Sequence, residues 1–185
     1  MIDVTNLRKG VTFELEGDIY KVLDYQHSKV ARGGATVRVR VRDLRSGATL
    51  EKTFNSGDRV QDIRLERQEV QYLYSDGDLY HFMDTDTYEQ PALSADILGD
   101  GLNYVADGTT LSLLTHDGEA IDIELPITVE LEVVDAEPGY AGDTAQGATK
   151  EVTLSTGLKL QTPLFVQVGN TIRVDTRDGS YITRV

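Results

Sequence analysis

Cysteine is absent from this 185-residue chain. Its absence removes a disulfide framework, a thiolate nucleophile and a cysteine-ligated zinc site, and it fits a reducing compartment. No apolar run approaches the ~20 residues that a membrane-spanning helix needs. The opening stretch MIDVTNLRKG has no apolar core, so a secretory leader is not expected. The three histidines, His27, His81 and His116, stand far apart and in no metal-binding spacing. His81, between Tyr80 and Phe82, reads as a strand residue. Asp84, Asp86 and Glu89 lack the glycine and the terminal glutamate of a calcium loop. Gly33-Gly34 has no strand–GxxxxGK[ST]–helix context, and no Ser/His/Asp order stands out. No enzyme, metal or cofactor is therefore expected.

Basic residues are scarce in one part of the chain only. Residues 1–64 hold twelve Lys and Arg against nine Asp and Glu, residues 65–127 hold one against fourteen, and residues 128–185 hold five against eight. The whole chain carries −13, which taken alone argues against nucleic acid. The distribution reverses that argument for the first segment and suggests an elongated molecule that meets different surfaces along its length.

The turn signals and strand patterns predict an all-β chain in three small barrels: 1–64, 65–127 and 128–185. In the first, Phe13 and Leu15 share one strand face, Gly17-Asp18 is the turn, and Ile19, Tyr20 and Val22 open the second strand. Ser46-Gly47 and Ser56-Gly57 are further turns, and Val60, Ile63 and Leu65 mark a last strand. In the second, Asp76-Gly77 and Asp117-Gly118 signal hairpins. A short helix or turn over 92–98 is expected to use Leu93, Ile97 and Leu98 as its apolar face, and the set suits an OB-type barrel. In the third, Val129, Leu131 and Val133 share a face, 137–149 reads as a loop, and Asp178-Gly179 is the final turn. Neither join has flexible linker composition, and the second and third segments are expected to pack as a semi-rigid unit.

The stretch HSKVARGGATVRVRVRD, residues 27–43, organises the first segment. Gly33-Gly34 reads as a tight turn that lets Arg32 and Lys29 stand clear of the body. Beyond it, Val37, Val39 and Val41 alternate with Arg38, Arg40 and Arg42. Period two places valines on one face of a strand and arginines on the other. Such a face either meets phosphate or keeps a strand edge soluble.

TNLRKG at 5–10, ARGGA at 31–35, EKTFNSGD at 51–58, QYLYSDGDLYHFMDTDTYEQ at 71–90 and the run from Val129 to the final residue, above all TLSTGLKLQTPLFVQVGNTIRVDTRDG, resemble bacterial translation elongation factor P over the whole length. The resemblance implies an SH3-like (KOW-like) N-terminal domain followed by two OB-fold domains in an elongated L-shape. It implies a cytoplasmic factor that binds the 70S ribosome between the P and E sites, beside the P-site peptidyl-tRNA or initiator tRNA, touching ribosomal RNA and proteins. It also implies promotion of peptide-bond formation where synthesis stalls at consecutive prolines, and a factor that is monomeric off the ribosome.

Arg32 then takes the position that reaches the CCA end and the peptidyl-transferase centre. Lys29, Val30, Ala31, Gly33 and Gly34 form its supporting loop, and Arg38, Arg40 and Arg42 are candidate RNA-backbone contacts. Family members carry a lysine with a β-lysyl-type extension or an arginine with rhamnose at this position. Arg32 argues against the lysine type, and Val30-Ala31 in place of the usual Pro-Gly favours an unmodified arginine over a rhamnosylated one. Two other readings compete. One is an elongation-factor-P-like paralogue with another stalling-motif preference. The other is an OB-fold RNA-binding or chaperone protein using Tyr72, Tyr74, Tyr80, Phe82 and Tyr88, which the −13 of the middle segment disfavours.

Overall fold

A computed structural model describes residues 1–30, 33–139 and 147–185, Val30 by its backbone alone. The expected all-β architecture is the one found, in three sheets. The first holds β1 (Ile2–Asp3), β2 (Thr12–Leu15), β3 (Asp18–Val30), β4 (Gly33–Asp43), β5 (Thr49–Asn55) and β6 (Arg59–Asp62) in the order β1-β6-β2-β3-β4-β5. The second holds β7 (Glu66–Ser75), β8 (Leu79–Asp84), β9 (Ala92–Ser94), β10 (Thr110–His116) and β11 (Glu119–Glu124) in the order β11-β10-β7-β8-β9. The third holds β12 (Thr128–Ala136), β13 (Thr149–Leu154), β14 (Lys159–Pro163), β15 (Thr171–Asp175) and β16 (Tyr181–Arg184) in the order β14-β13-β12-β15-β16. Helix is confined, among the described residues, to α1 (Ala95–Leu98) and the 3-10 turns Val4–Asn6 and Gly99–Tyr104.

By packing, the chain forms two compact units: Met1–Arg67 with Leu114–Asp122, and Gln68–Leu113 with Ile123–Val185. In the first unit Val37, Val39 and Val41 are buried while Arg38 and Arg40 are exposed, as period two requires. The valines pack with Val4, Leu7, Phe13, Tyr20, Val22 and Val60. Ile19 and Leu44 form a second cluster with Ile121 from the 114–122 hairpin, flanked by Ile63 and Leu65. Those last two lie past β6, which ends at Asp62. The strand expected to run through them stops early, and their side chains serve the Ile19 cluster.

In the second unit Val129, Leu131 and Val133 alternate into the core of the third sheet with Val152, Leu154, Ile172 and Val174. Tyr104 and Ala106 pack on that core, and the Thr156 hydroxyl donates to the carbonyl of Asn103 at 2.7 Å. A Cβ added to Gly179, at φ +75°, would stand 3.0 Å from the Tyr104 hydroxyl oxygen, so both backbone and space favour glycine in the final turn. The expected apolar helix face over 92–98 is divided between elements: Leu93 is buried from β9, Leu98 from α1, and Ile97 is half-buried. The predicted loop 137–149 has no strand at 137–139 or 147–148, β13 begins at Thr149, and 140–146 lie outside the described residues.

Two hairpin turns show what their sequence demands. Asp117 and Gly118 both have positive φ, 49° and 79°, between β10 and β11. This is the backbone a two-residue type I′ turn requires. The same geometry occurs one residue earlier than expected between β2 and β3. Leu15 pairs with Asp18, and the turn residues are Glu16 at φ 56° and Gly17 at φ 90°. Asp18 is already a ladder residue, because glycine takes the second central position. Glu16 lies in the left-handed region, which asparagine enters more readily because its short amide hydrogen-bonds the local backbone. Glu16→Asn is expected to stabilise the protein by about 1 kcal/mol, read as a higher urea midpoint at unchanged slope.

The turn after β15 depends on a carboxylate. Asp175 accepts from the Arg177 guanidinium at 3.0 and 2.6 Å and from the Arg177 backbone N–H at 2.9 Å. These bonds hold its pKa down to about 2. A carboxylate depressed in the folded state contributes stability that is present above its unfolded pKa of ~3.9 and lost as pH falls through the folded value. A carboxyl NMR titration is expected to place the midpoint near 2, and Arg177→Gln is expected to move it upward.

Candidate nucleic-acid interface

β3 and β4 are the longest strands, at 13 and 11 residues. They pair from Tyr20↔Asp43 outward to Val30↔Gly33. β3 spans about 40 Å at ~3.3 Å per residue. The register shifts between Val22 and Asp24, where Leu23 is an extra residue on β3, and again between Ser28 and Val30, where the extra residue lies on β4, within Gly34-Ala35. Each irregularity bends the strand and increases its twist. From Asp24 to Lys29 every β3 residue is exposed, whereas β4 still buries Val37 to Val41.

A third strand supports the inner part of this hairpin. β5 pairs with β4 from Arg42↔Thr49 to Thr36↔Asn55, and Ser56 N–H donates to the Ala35 carbonyl at 2.7 Å. Past Ala35 the described hairpin is a two-stranded ribbon of Ser28–Val30 against Gly33-Gly34, about 10 Å long. Gly33 and Gly34 are strand residues and neither has positive φ. This corrects the expectation that they form the turn: the link from Val30 to Gly33 is Ala31-Arg32, and both of those residues lie outside the described ones. A Cβ at either glycine would meet nothing within 4 Å. Bare backbone at the end of a ribbon is what a close-fitting partner needs.

The register sorts the charged residues by face. Arg38, Arg40 and Arg42 share the outer face with Thr53, Glu51 and Thr49 of β5 and with Gln26, Asp24 and Lys21 of β3. Arg38 is an ion-pair partner, its Nε 3.3 Å from Glu51 Oε1, with both side chains well exposed. Among the described residues Arg40 and Arg42 make no side-chain hydrogen bond or ion pair within 4 Å. Arg38, Arg40, Asp24, Tyr25, Gln26 and Glu51 line a shallow recess of about 160 Å³. The three arginines proposed from sequence are therefore together on one face but not equivalent. Arg38 is partly neutralised, while Arg40 is exposed and keeps all five guanidinium donors available.

The opposite face carries two residues the sequence did not single out. The Arg8 guanidinium lies 4.6 Å from the centre of the Tyr25 ring and donates to the carbonyls of Thr5 and Leu7 at 2.8 Å. Tyr25 pairs with Val39, so the stack lies at the middle of the valine row, where β3 has left the core. Arg8 belongs to the TNLRKG stretch, but only the β3–β4 register shows what it lies over.

The aromatic residues of the second segment divide. Phe82 is fully buried, and the half-buried Tyr72 makes tilted ring contacts with it at 5.4 Å and with the half-buried Tyr80 at 6.3 Å. Tyr74 and Tyr88 are exposed, at 53% and 70%. Tyr74 stacks on His81 at 4.5 Å, and His81 Nε2 lies 2.8 Å from Asp76 Oδ2. His81 is a strand residue whose partner is a carboxylate. Among the described residues no group of three or more His, Cys, Asp or Glu could hold a metal ion, and no helix is long and apolar enough to cross a membrane.

Comparison with known families gives three successive matches along the chain. Residues 3–60 match the elongation factor P (EF-P) KOW-like domain, 65–123 the elongation factor P (EF-P) OB domain and 129–184 elongation factor P, C-terminal. The chain is 49% identical over 185 residues to elongation factor P of Pelotomaculum thermopropionicum and, equally, to that of Acetivibrio thermocellus, covering all of each protein. Among solved structures it is similar to eukaryotic translation initiation factor 5A from Methanococcus jannaschii. That likeness has 22% identity and a TM-score of 0.53 over 67% of this chain and 93% of that one, and it concerns the fold. Three successive domain matches and full-length relatives at this identity lead to one conclusion: the chain belongs to the elongation factor P family.

Proposed function

We propose that this chain is a translation elongation factor of the cytoplasm that binds the 70S ribosome between the P and E sites. There it acts on the peptidyl-transferase centre through the β3–β4 hairpin. The observation that carries the reading is a basic-faced hairpin whose last residues extend past the third strand, in a chain of the elongation factor P family. Proline is a ring-constrained secondary amine, and a run of prolines stiffens the nascent chain. Both leave the reacting groups poorly aligned. Positioning alone is worth several orders of magnitude in such reactions. A factor that steadies the CCA end of the P-site tRNA restores the geometry without donating a proton or a nucleophile.

Arg32 is the residue assigned to the CCA contact, with Lys29, Val30, Ala31, Gly33 and Gly34 as its support. Arg40 and Arg42 are assigned to RNA phosphates, where an unpaired guanidinium offers bidentate hydrogen bonds and releases counterions. Arg38 has a weaker claim because it already faces Glu51. The bare backbone of Gly33-Gly34 allows close approach to a nucleotide. An arginine without rhamnose fits the Val30-Ala31 context, and the intact mass of protein from its own host checks this: an added deoxyhexose contradicts it.

Arg32→Ala is expected to keep the fold, with stability changed by less than about 0.5 kcal/mol, and to keep most ribosome affinity. Peptide-bond formation on a Pro-Pro-Pro message at saturating factor is expected to fall by about tenfold or more. A variant that matches the parent protein in that assay removes Arg32 from the mechanism.

Arg40→Gln and Arg42→Gln are each expected to lower the slope of log affinity against log salt by about 1. Arg38→Gln is expected to change it less, because Glu51 already offsets that charge. Ribosome binding measured over a salt series separates them, and equal slopes for all three variants contradict the assignment.

A further inference from the structure

The hairpin reaches outward, but its direction is set at its root, and the root is held by residues more than seventy positions away in sequence. Lys21 on β3 lies two residues before the first bulge. Its Nζ is 3.0 Å from Oδ2 of Asp122 on β11, with side chains 35% and 11% exposed. Ile121, the preceding residue, is buried against Ile19 and Leu44, the residues flanking the base of β3 and β4. Leu44 N–H donates to the Ile19 carbonyl at 2.9 Å and closes that base. A second pair at the same place, Arg45 Nη2 to Glu119 Oε2 at 3.6 Å, is well exposed on both sides. Exposed pairs of that kind contribute little, so the specific contact is the half-buried one.

We infer that Lys21 and Asp122 are positioning residues: the 114–122 hairpin braces the root of β3–β4 and so fixes the aim of its tip. This rests on the function proposed above and adds a part to it that lies far from the tip. The physical case is leverage. From Lys21 to Val30 is about 30 Å of strand, so a rotation of about 2° at the root displaces the end by about 1 Å. A 1 Å misplacement can cost on the order of 100-fold in rate. The bulge at Leu23 sits immediately outward of Lys21. Ladder hydrogen bonds are locally interrupted there, and the root contacts must supply the rigidity that pairing does not. A half-buried pair suits the task. Its geometry is restrictive, and the Asp122 carboxylate is largely covered, so removing the charge of either partner unbalances the root.

Asp122→Asn keeps the shape and removes the charge. Lys21→Met keeps the stem and removes the ammonium. Both variants, the double variant and Lys21→Arg are to be compared in the full-length protein. On a Pro-Pro-Pro message, kcat is expected to fall about tenfold for each single variant, with KM within twofold of the parent. The double variant is expected to fall no further than the singles, and Lys21→Arg to retain most of the rate. The independent readout is amide exchange of Leu44, expected to quicken at least tenfold in Asp122→Asn while the amides of Val39 and Val41 in the buried ladder remain protected. Should Asp122→Asn leave both kcat and Leu44 exchange at parent values, or should the single losses multiply in the double variant, the inference is overturned. If the parent protein itself fails to accelerate the Pro-Pro-Pro message, the proposed function fails, and Leu44 exchange alone then decides whether the brace exists.

Discussion

The proposed role demands that one antiparallel hairpin be stiff at its base and uncovered at its end. Stiffness needs burial, and burial needs a second layer. At the base β3 and β4 have one, because Val22, Val37, Val39 and Val41 pack on Phe13, Tyr20 and Val60. Toward the end they lose it, and Asp24 to Lys29 are all exposed. A two-stranded ribbon alone is marginal in water. The molecule meets the conflict by degrees: the Arg8–Tyr25 stack at the level of Val39, a third strand as far as Asn55, one more hydrogen bond from Ser56 to Ala35, then bare ribbon. The order of supports along the hairpin explains why it can project without unravelling from its base.

The same gradient separates the arginines. All three lie on the outer face, but among the described residues only Arg38 has a carboxylate within ion-pair reach. In register Glu51 stands opposite Arg40 rather than Arg38, and the pair it makes is diagonal. Diagonal neighbours on a sheet face lie within reach of long side chains. An exposed pair of this kind costs little to separate, so it restrains Arg38 in the free protein without committing the face to a closed arrangement.

What could be read from the sequence was whatever repeats locally. Val37 to Arg42 shows its two faces because a strand alternates every residue, and Asp117-Gly118 shows its turn because few residues accept two positive φ angles in succession. The errors arose where a local signal competed with a partner elsewhere. Ile63 and Leu65 look like strand residues but extend the Ile19 cluster beyond the end of β6. Gly33-Gly34 looks like a turn, yet the ladder begins at Gly33, so the pair is strand. Leu93 and Ile97 have helical spacing, but Leu93 is buried by a strand. Lys21 and Asp122 were illegible for a simpler reason. They are 101 residues apart, each sits in an unremarkable strand, and neither belongs to a motif. Only the packed position of the 114–122 hairpin brings them together.

The charge of −13 poses a last question, since a protein so acidic is proposed to meet RNA. Part of the answer is that many carboxylates are turn-formers. Asp43 accepts from the N–H groups of Arg45 and Ser46, Asp76 from Asp78 and Leu79, Asp84 from Asp86 and Thr87, and Asp178 from Ser180. A side-chain oxygen that receives the N–H two or three residues on is what fixes these tight connections. An all-β chain with many short strands needs many of them, so its acidity follows partly from its architecture. The other part is range. At physiological salt the field of an exposed charge fades over about 8 Å, a small fraction of the length of β3. What a phosphate meets near the end of the hairpin is governed by Lys29, Arg38 and Arg40 with Asp24 and Glu51, and the carboxylates at its base, Asp18 and Asp43, are screened from it. Net charge describes the whole chain, whereas the proposed affinity for RNA would be decided within a few residues of the strand assigned to it.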